Sequence, residues 1–273
     1  MKTYILSAAL ALIASSVSAQ TCGDRETPCV IDSGTYYTVL PDGAPQGAVI
    51  MLHGGGGRAE SQLGSGLAQE ATARGFVFVS PQGFQEGARF ERDWAVKSDG
   101  YTPPHDDLTF LGEVMDKVAA DHGAPRDAML LAGFSRGGSM VWNVACDVPG
   151  LARAYAPAAG ALWDSQPETC AGPVDLFHTH GWDDRTVPLE GRSLFEDTVT
   201  QGDVWASLKI LRETNGCRAR QPSSSAVIGD RWWRYWDDCD AGRIDLMLHS
   251  GGHGTPEGWA GTTMDWFETR LTE

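Results

Sequence analysis

Met129-Leu130-Leu131-Ala132-Gly133-Phe134-Ser135-Arg136-Gly137-Gly138 is the stretch on which the fold reading turns. Its first four residues form an unbroken apolar run, as expected of a strand buried on both faces. Arg136 to Cys146 continues as a helix. Between the two lies Gly133-Phe134-Ser135-Arg136-Gly137, a G-x-S-x-G pentapeptide in strand–turn–helix context. Glycine at 133 and 137 leaves room where side chains would collide with the neighbouring strand and helix. The serine is then held in a strained turn, with its hydroxyl presented at the carboxyl end of the sheet. The competing account is an ordinary strand-to-helix turn, and the flanking elements are what weigh against it. Ser139, one helical turn further on, reads as structural.

Working outward, Tyr36 to Leu40 and Ala48 to Leu52 read as strands separated by the turn-rich Pro41-Asp42-Gly43-Ala44-Pro45. Ser61 to Arg74 reads as a helix and Phe76 to Val79 as a buried strand. The irregular stretch from Pro81 to His105, with Phe90, Trp94 and Tyr101, is long enough to be a candidate rim for a site. Asp106 to His122 is an amphipathic helix with Leu108, Leu111, Met115 and Val118 on one face. Val174 to Phe177 and Ile244 to Leu248 are further strands, and Trp259 to Leu271 is the closing helix. Strands alternating with helices imply an α/β fold, a mostly parallel sheet with helices on both faces, in a single domain.

The chain begins Met1-Lys2, runs apolar from Tyr4 to Ala14, and reaches Ser15-Ser16-Val17-Ser18-Ala19-Gln20. This is the pattern of a secretory signal peptide over 1–19, leaving 20–273 as the domain. The run is too short for a bilayer-spanning helix, which needs roughly 20 apolar residues. Acidic residues outnumber Lys and Arg by 36 to 21, a net charge of −15, which argues against a nucleic-acid partner. Six cysteines behind a signal peptide suggest disulfides rather than zinc, since no pair has C-x-x-C spacing. Sequential pairing closes local loops and is the expected connectivity: Cys22–Cys29, Cys146–Cys170 and Cys217–Cys239.

Three more segments carry chemistry. His53-Gly54-Gly55-Gly56-Gly57 ends a strand in glycines, so that backbone amides face a reacting carbonyl. Gly55 N–H, together with Arg136 N–H, is the expected oxyanion hole, with His53 bracing the loop. A phosphate loop would need Gly-Lys-Ser/Thr where Arg58-Ala59 stands, and a dinucleotide loop would need glycine at Ala59. After the strand ending at Phe177 comes His178-Thr179-His180-Gly181-Trp182-Asp183-Asp184-Arg185-Thr186-Val187-Pro188. Either Asp183 or Asp184 is placed to serve as an acid, and position alone does not choose. His178 and His180, on one strand face, are a weaker metal-site alternative. After Leu248, His249 and His253 compete for the role of base. His105 and His122 read as surface or capping residues.

With these segments in view, the chain resembles the secreted polyhydroxybutyrate depolymerase and feruloyl esterase group of α/β-hydrolases from about Gly34 to the C-terminus. The resemblance rests on Leu-His-Gly near the start, Asp106-Asp107 with Phe110-Leu111, the G-F-S-R-G-G elbow, His180 to Pro188, and Gly251-Gly252-His253. It implies the α/β-hydrolase fold and ester hydrolysis by Ser135, Asp184 and His253: the group's H-G-x-x-D-x-x-V-P motif maps its acid onto Asp184, and its G-G-H motif maps its base onto His253. Cys146 and Cys170 resemble a disulfide of the group. The elbow is also similar to that of carboxylesterases and acyl-thioesterases.

Two departures stand out. Arg136 replaces the usual Ala or Asn and is expected to bring positive charge to the pocket mouth. Thr255-Pro256 replaces the usual Trp-Pro. No cofactor is called for, and the expected partner is a small-molecule or oligomeric ester, with no nucleic acid and no membrane. Trp94 and Trp182, with Trp163, are candidate aromatic walls for the substrate.

Overall fold

The computed structural model describes residues 22–23, 26–84, 92–100, 105–194 and 196–272. The expected signal peptide, and Phe90 and Tyr101 of the expected rim, lie outside these residues. In chain order the elements are β1 (Cys29–Ile31), β2 (Gly34–Val39), β3 (Gly47–Leu52), a 3-10 turn (Ala59–Gly64), α1 (Gly66–Ala73), β4 (Phe76–Pro81), α2 (Asp107–His122), β5 (Met129–Phe134), α3 (Arg136–Asp147), β6 (Ala154–Ala158) and β7 (Asp175–Gly181). There follow β8 (Arg192–Leu194), β9 (Val199–Gln201), α4 (Val204–Thr214), β10 (Ser224–Ile228), β11 (Arg231–Trp236), β12 (Arg243–His249) and α5 (Trp259–Leu271).

Among the described residues, ten strands form one sheet in the order β1-β2-β4-β3-β5-β6-β7-β12-β11-β10. The six from β4 to β12 pair in parallel, and antiparallel strands extend both ends. Unbroken apolar strands are what a sheet covered on both faces requires. In β3, Ala48, Ile50 and Leu52 face the layer holding α2, α3 and α4, whereas Val49 and Met51 face α1 and α5. Full burial of each fixes the register, because a one-residue slip would exchange the two faces.

The expected helix over 61–74 is two pieces. Gly64-Ser65-Gly66 interrupts it, and Ser65 caps α1 by accepting from Ala68 N–H at 3.2 Å. Asp106 caps α2 in the same way, accepting from Leu108 and Thr109. β6, α4 and the β10–β11 hairpin were not expected. All three expected disulfides are formed.

The order β4-β3-β5 places the topological switch between β3 and β5, because the chain leaves β3 in one direction and returns on its other side. Clefts for ligands open outside the carboxyl ends of strands at such a point. Gly54 follows β3 there, and Ser135 follows β5.

Candidate active site

Ser135 sits between β5 and α3 with φ 58° and ψ −119°, a conformation rarely adopted by a residue with a side chain. Its neighbours force it. A Cβ on Gly133 would lie 2.4 Å from the Gly137 carbonyl oxygen, and one on Gly137 would lie 2.4 Å from that of Leu52. Ser135 N–H is tied to the Ala158 carbonyl at 2.9 Å, so β6 holds the turn from its other side.

The loop after β12 brings His253 back over this turn. His253 Nε2 lies 3.0 Å from Ser135 Oγ, and its Nδ1 lies 2.8 Å from Asp184 Oδ2. Asp184 Oδ1 accepts from the amides of Thr186 and Val187, each at 2.8 Å. Burial alone would raise the Asp184 carboxyl, but the His253 contact and these two amides outweigh it and hold it below its ordinary value. Asp183 instead faces solvent beside Arg185. His249 is turned into its own loop, accepting from Gly251 N–H at 3.1 Å on Nδ1 and donating from Nε2 to the Gly254 carbonyl at 3.1 Å.

His178 and His180 are fully buried and bonded in series. Trp142 Nε1–H donates to His178 Nδ1 at 3.3 Å, which leaves the hydrogen on His178 Nε2 to donate to His180 Nδ1 at 3.0 Å. His180 Nε2–H then donates to the Val187 carbonyl at 2.7 Å. All four ring nitrogens are used, which removes the metal alternative for this pair. Burial foremost pushes both histidines below their ordinary value, so both are neutral at pH 7.

His53 braces the glycine loop as expected. Its Nδ1 donates to Gly54 O at 2.7 Å, and its Nε2 accepts from Gly83 N–H at 3.0 Å. Gly56 N–H bonds Arg92 O at 2.7 Å. Gly55 N–H has no partner among the described residues, and Arg136 N–H, on the first residue of α3, lies outside that helix's own ladder.

Three expectations need correction. Trp94 is fully buried and its Nε1–H bonds the His53 carbonyl at 2.8 Å, so it supports the glycine loop from beneath and lines no substrate wall. Trp182 is 61% exposed and belongs to a different groove, with Trp205 and Trp232 against the β10–β11 hairpin. That groove, of about 720 Å³, is larger than the cleft at Ser135 but contains neither Ser135 nor His253. Arg136 does not bring free charge to the pocket mouth. Its guanidinium is buried in a bidentate contact to Asp93 at 2.7 and 3.1 Å, with a bond to Asp99 at 2.7 Å.

The cleft over Ser135 encloses about 510 Å³ and is lined by Gly55, Phe134, Trp163, Val187, Leu194 and His253, with Arg192 and Gln201 at its polar part. Trp163 is the one candidate tryptophan that lines it. The β8–β9 residues were missed, because three-residue strands carry too little periodicity to be read.

A ten-stranded, mostly parallel sheet with a strained serine at its switch point defines an α/β-hydrolase. No family model matches the chain. A putative esterase, NocK, of Nocardia uniformis subsp. tsuyamanensis is 30% identical over 240 residues, covering 80% of this chain and 67% of that protein. Feruloyl esterase C of Emericella nidulans is 27% identical over 245 residues, covering 84% of this chain and 79% of that protein. An acetyl xylan esterase structure from Aspergillus awamori superimposes with a TM-score of 0.64 at 16% identity, over 86% of this chain and 93% of that one. The chain belongs to the feruloyl esterase group of α/β-hydrolases, and it is an esterase.

Proposed function

We propose that this esterase is a secreted serine hydrolase in which Ser135 is the nucleophile, His253 the base and Asp184 the acid that orients it. The observation that carries this reading is the unbroken series of contacts from Ser135 Oγ through both nitrogens of His253 to Asp184, at 3.0 and 2.8 Å. Ser135 Oγ bonds to the ester carbonyl carbon while its proton passes to His253 Nε2. The Gly55 and Arg136 amides receive the negative oxygen, each such donor being worth about 3–4 kcal/mol. Collapse breaks the bond to the alcohol oxygen, which takes the proton from His253. Water then repeats the sequence on the acyl-enzyme and releases the acid.

The apolar wall of Phe134, Trp163, Val187 and Leu194 suits aryl or short alkyl acyl groups, in line with the feruloyl and acetyl esters named for the relatives. Three disulfides favour an oxidising compartment, which supports secretion after removal of 1–19. Ser135→Ala is expected to lower kcat on p-nitrophenyl acetate by about 10⁶ and to abolish labelling by a fluorophosphonate. Normal turnover by that variant would end the proposal.

A further inference from the structure

The cleft over Ser135 has a polar part that the hydrolytic steps leave unused. Arg192 opens β8 and Gln201 closes β9, and the two residues are opposite each other in the antiparallel register. Arg192 Nε donates to Gln201 Oε1 at 2.9 Å, and its Nη1 donates to the Arg185 carbonyl at 3.1 Å. Two bonds at different nitrogens fix the plane of the guanidinium. Both side chains line the cleft that also holds Ser135 and His253.

Two observations point to a ligand here. Gln201 is only 7% exposed, and because its Oε1 faces Arg192, its Nε2 amide is turned away from that contact. Among the described residues this amide has no acceptor, and it keeps access to solvent, which leaves it a donor at the cleft that Gln201 lines. Arg192, for its part, pairs with no carboxylate among the described residues. Arg74, Arg136, Arg153 and Arg243 each do, and Arg212, Arg220 and Arg234, which likewise pair with no carboxylate, lie outside the lining of this cleft. In a chain with 36 acidic residues against 21 Lys and Arg, an acid partner is easily supplied, and this cleft arginine lacks one.

We propose that Arg192 and Gln201 form a carboxylate-binding subsite, and that the preferred esters of this enzyme carry an anionic carboxylate on one side of the scissile bond. A planar guanidinium edge beside an amide N–H offers donors to both oxygens of a carboxylate. A neutral hydroxyl or ether would satisfy the amide but leave the charge unanswered. The proposal rests on Ser135 and His253 being the reacting pair, since only that makes the shared cleft a substrate site.

The test compares kcat/KM for two matched pairs. Mono-p-nitrophenyl glutarate against its methyl ester places the charge on the acyl side. Para-acetoxybenzoate against its methyl ester places it on the alcohol side. In one pair the wild type should favour the acid by about tenfold at low ionic strength, the scale of a hydrogen bond to a charged group. Arg192→Met should abolish that preference through KM, Arg192→Lys should retain part of it, and ~0.5 M salt should reduce it. An acid no better than its methyl ester in both pairs, or a preference that survives Arg192→Met, overturns the subsite. Should Arg192→Met fail to fold, the wild-type ratios and their salt response decide alone. Neutral-ester turnover that needs Ser135 but shows no acid preference sinks only the subsite. Turnover that survives Ser135→Ala sinks the hydrolytic reading itself.

Discussion

Asp184→Asn isolates the work of a single hydrogen. In the wild type, Oδ1 is anchored by two amide donors at 2.8 Å each, and Oδ2 receives His253 Nδ1 at 2.8 Å. Asparagine has one oxygen, and the two amides claim it, because an NH₂ group there would leave both donors facing a donor. The NH₂ must therefore occupy the Oδ2 position and donate to His253 Nδ1. That moves the ring hydrogen to Nε2, pointing at Ser135 Oγ, where the imidazole no longer accepts a proton. The wrong tautomer is worth up to about 10⁴ in kcat, or roughly 5.5 kcal/mol at 1.36 kcal/mol per decade. The turn keeps its amide bonds, so the melting temperature should move little. Steady-state turnover of p-nitrophenyl acetate with parallel thermal melts is the assay. If Asp184→Asn keeps kcat within about tenfold of wild type, or if Asp183→Asn is the damaging change, the assigned acid is wrong.

Removing Arg136 should unbalance Asp93, which is already raised by burial despite its arginine partner. Arg136→Met is expected to cost about 3–5 kcal/mol in urea unfolding, and a loss below ~1 kcal/mol would deny that the pair is truly buried. Gly137→Ala would bring a Cβ to 2.4 Å from the Leu52 carbonyl, so stability should fall by at least about 1–3 kcal/mol, with kcat falling alongside as the elbow shifts; an unchanged melt argues against so tight a turn. His53, His178 and His180 are all held below their ordinary value, chiefly by burial, and His105 is raised, first by its bond to Asp107. Below about pH 6.5 the unfolded chain protonates those three before the folded one does, so stability is full above that pH and declines beneath it, by up to about 1.4 kcal/mol per pH unit for each. His105 acts in the opposite sense, and urea midpoints that do not fall between about pH 7 and pH 5.5 would contradict the balance.

The strands that build the switch point were legible because they are apolar at every position, and the elbow because glycine recurs where backbones touch. β6 was not. Ala154, Ala156 and Ala158 are small, and Pro157 interrupts the ladder to β7, so the segment reads as a loop although it lies between β5 and β7. Its central place is set by tertiary packing. The β10–β11 hairpin and α4 did carry signals: Gly229-Asp230 between strand-forming runs, and Asp203 accepting from Trp205 and Ala206 at 2.6 and 3.0 Å as a cap. The motif residues at the site were readable, whereas the direction of a tryptophan was not. Trp94 lies in the right loop, but its N–H needs an acceptor, and the nearest is the carbonyl beneath the glycine loop. Arg136 deceived for a related reason. Its charge was visible, while the two acids that enclose it lie 43 and 37 residues away.

The spacing from His180 through Asp184 to Val187 now has a physical explanation. Trp142 has only a donor to offer, so it fixes His178 as an acceptor at Nδ1, and that choice propagates until His180 donates to the Val187 carbonyl. The amide of the same residue holds Asp184 Oδ1 at 2.8 Å. Val187 thus joins a proton arrangement set in the sheet interior to the carboxylate that faces His253. Protonating either buried ring would put two hydrogens into one contact and break the series, and burial opposes this by keeping both rings neutral. A histidine at 180 is therefore a brace for the acid, placed one strand end before the residue it positions.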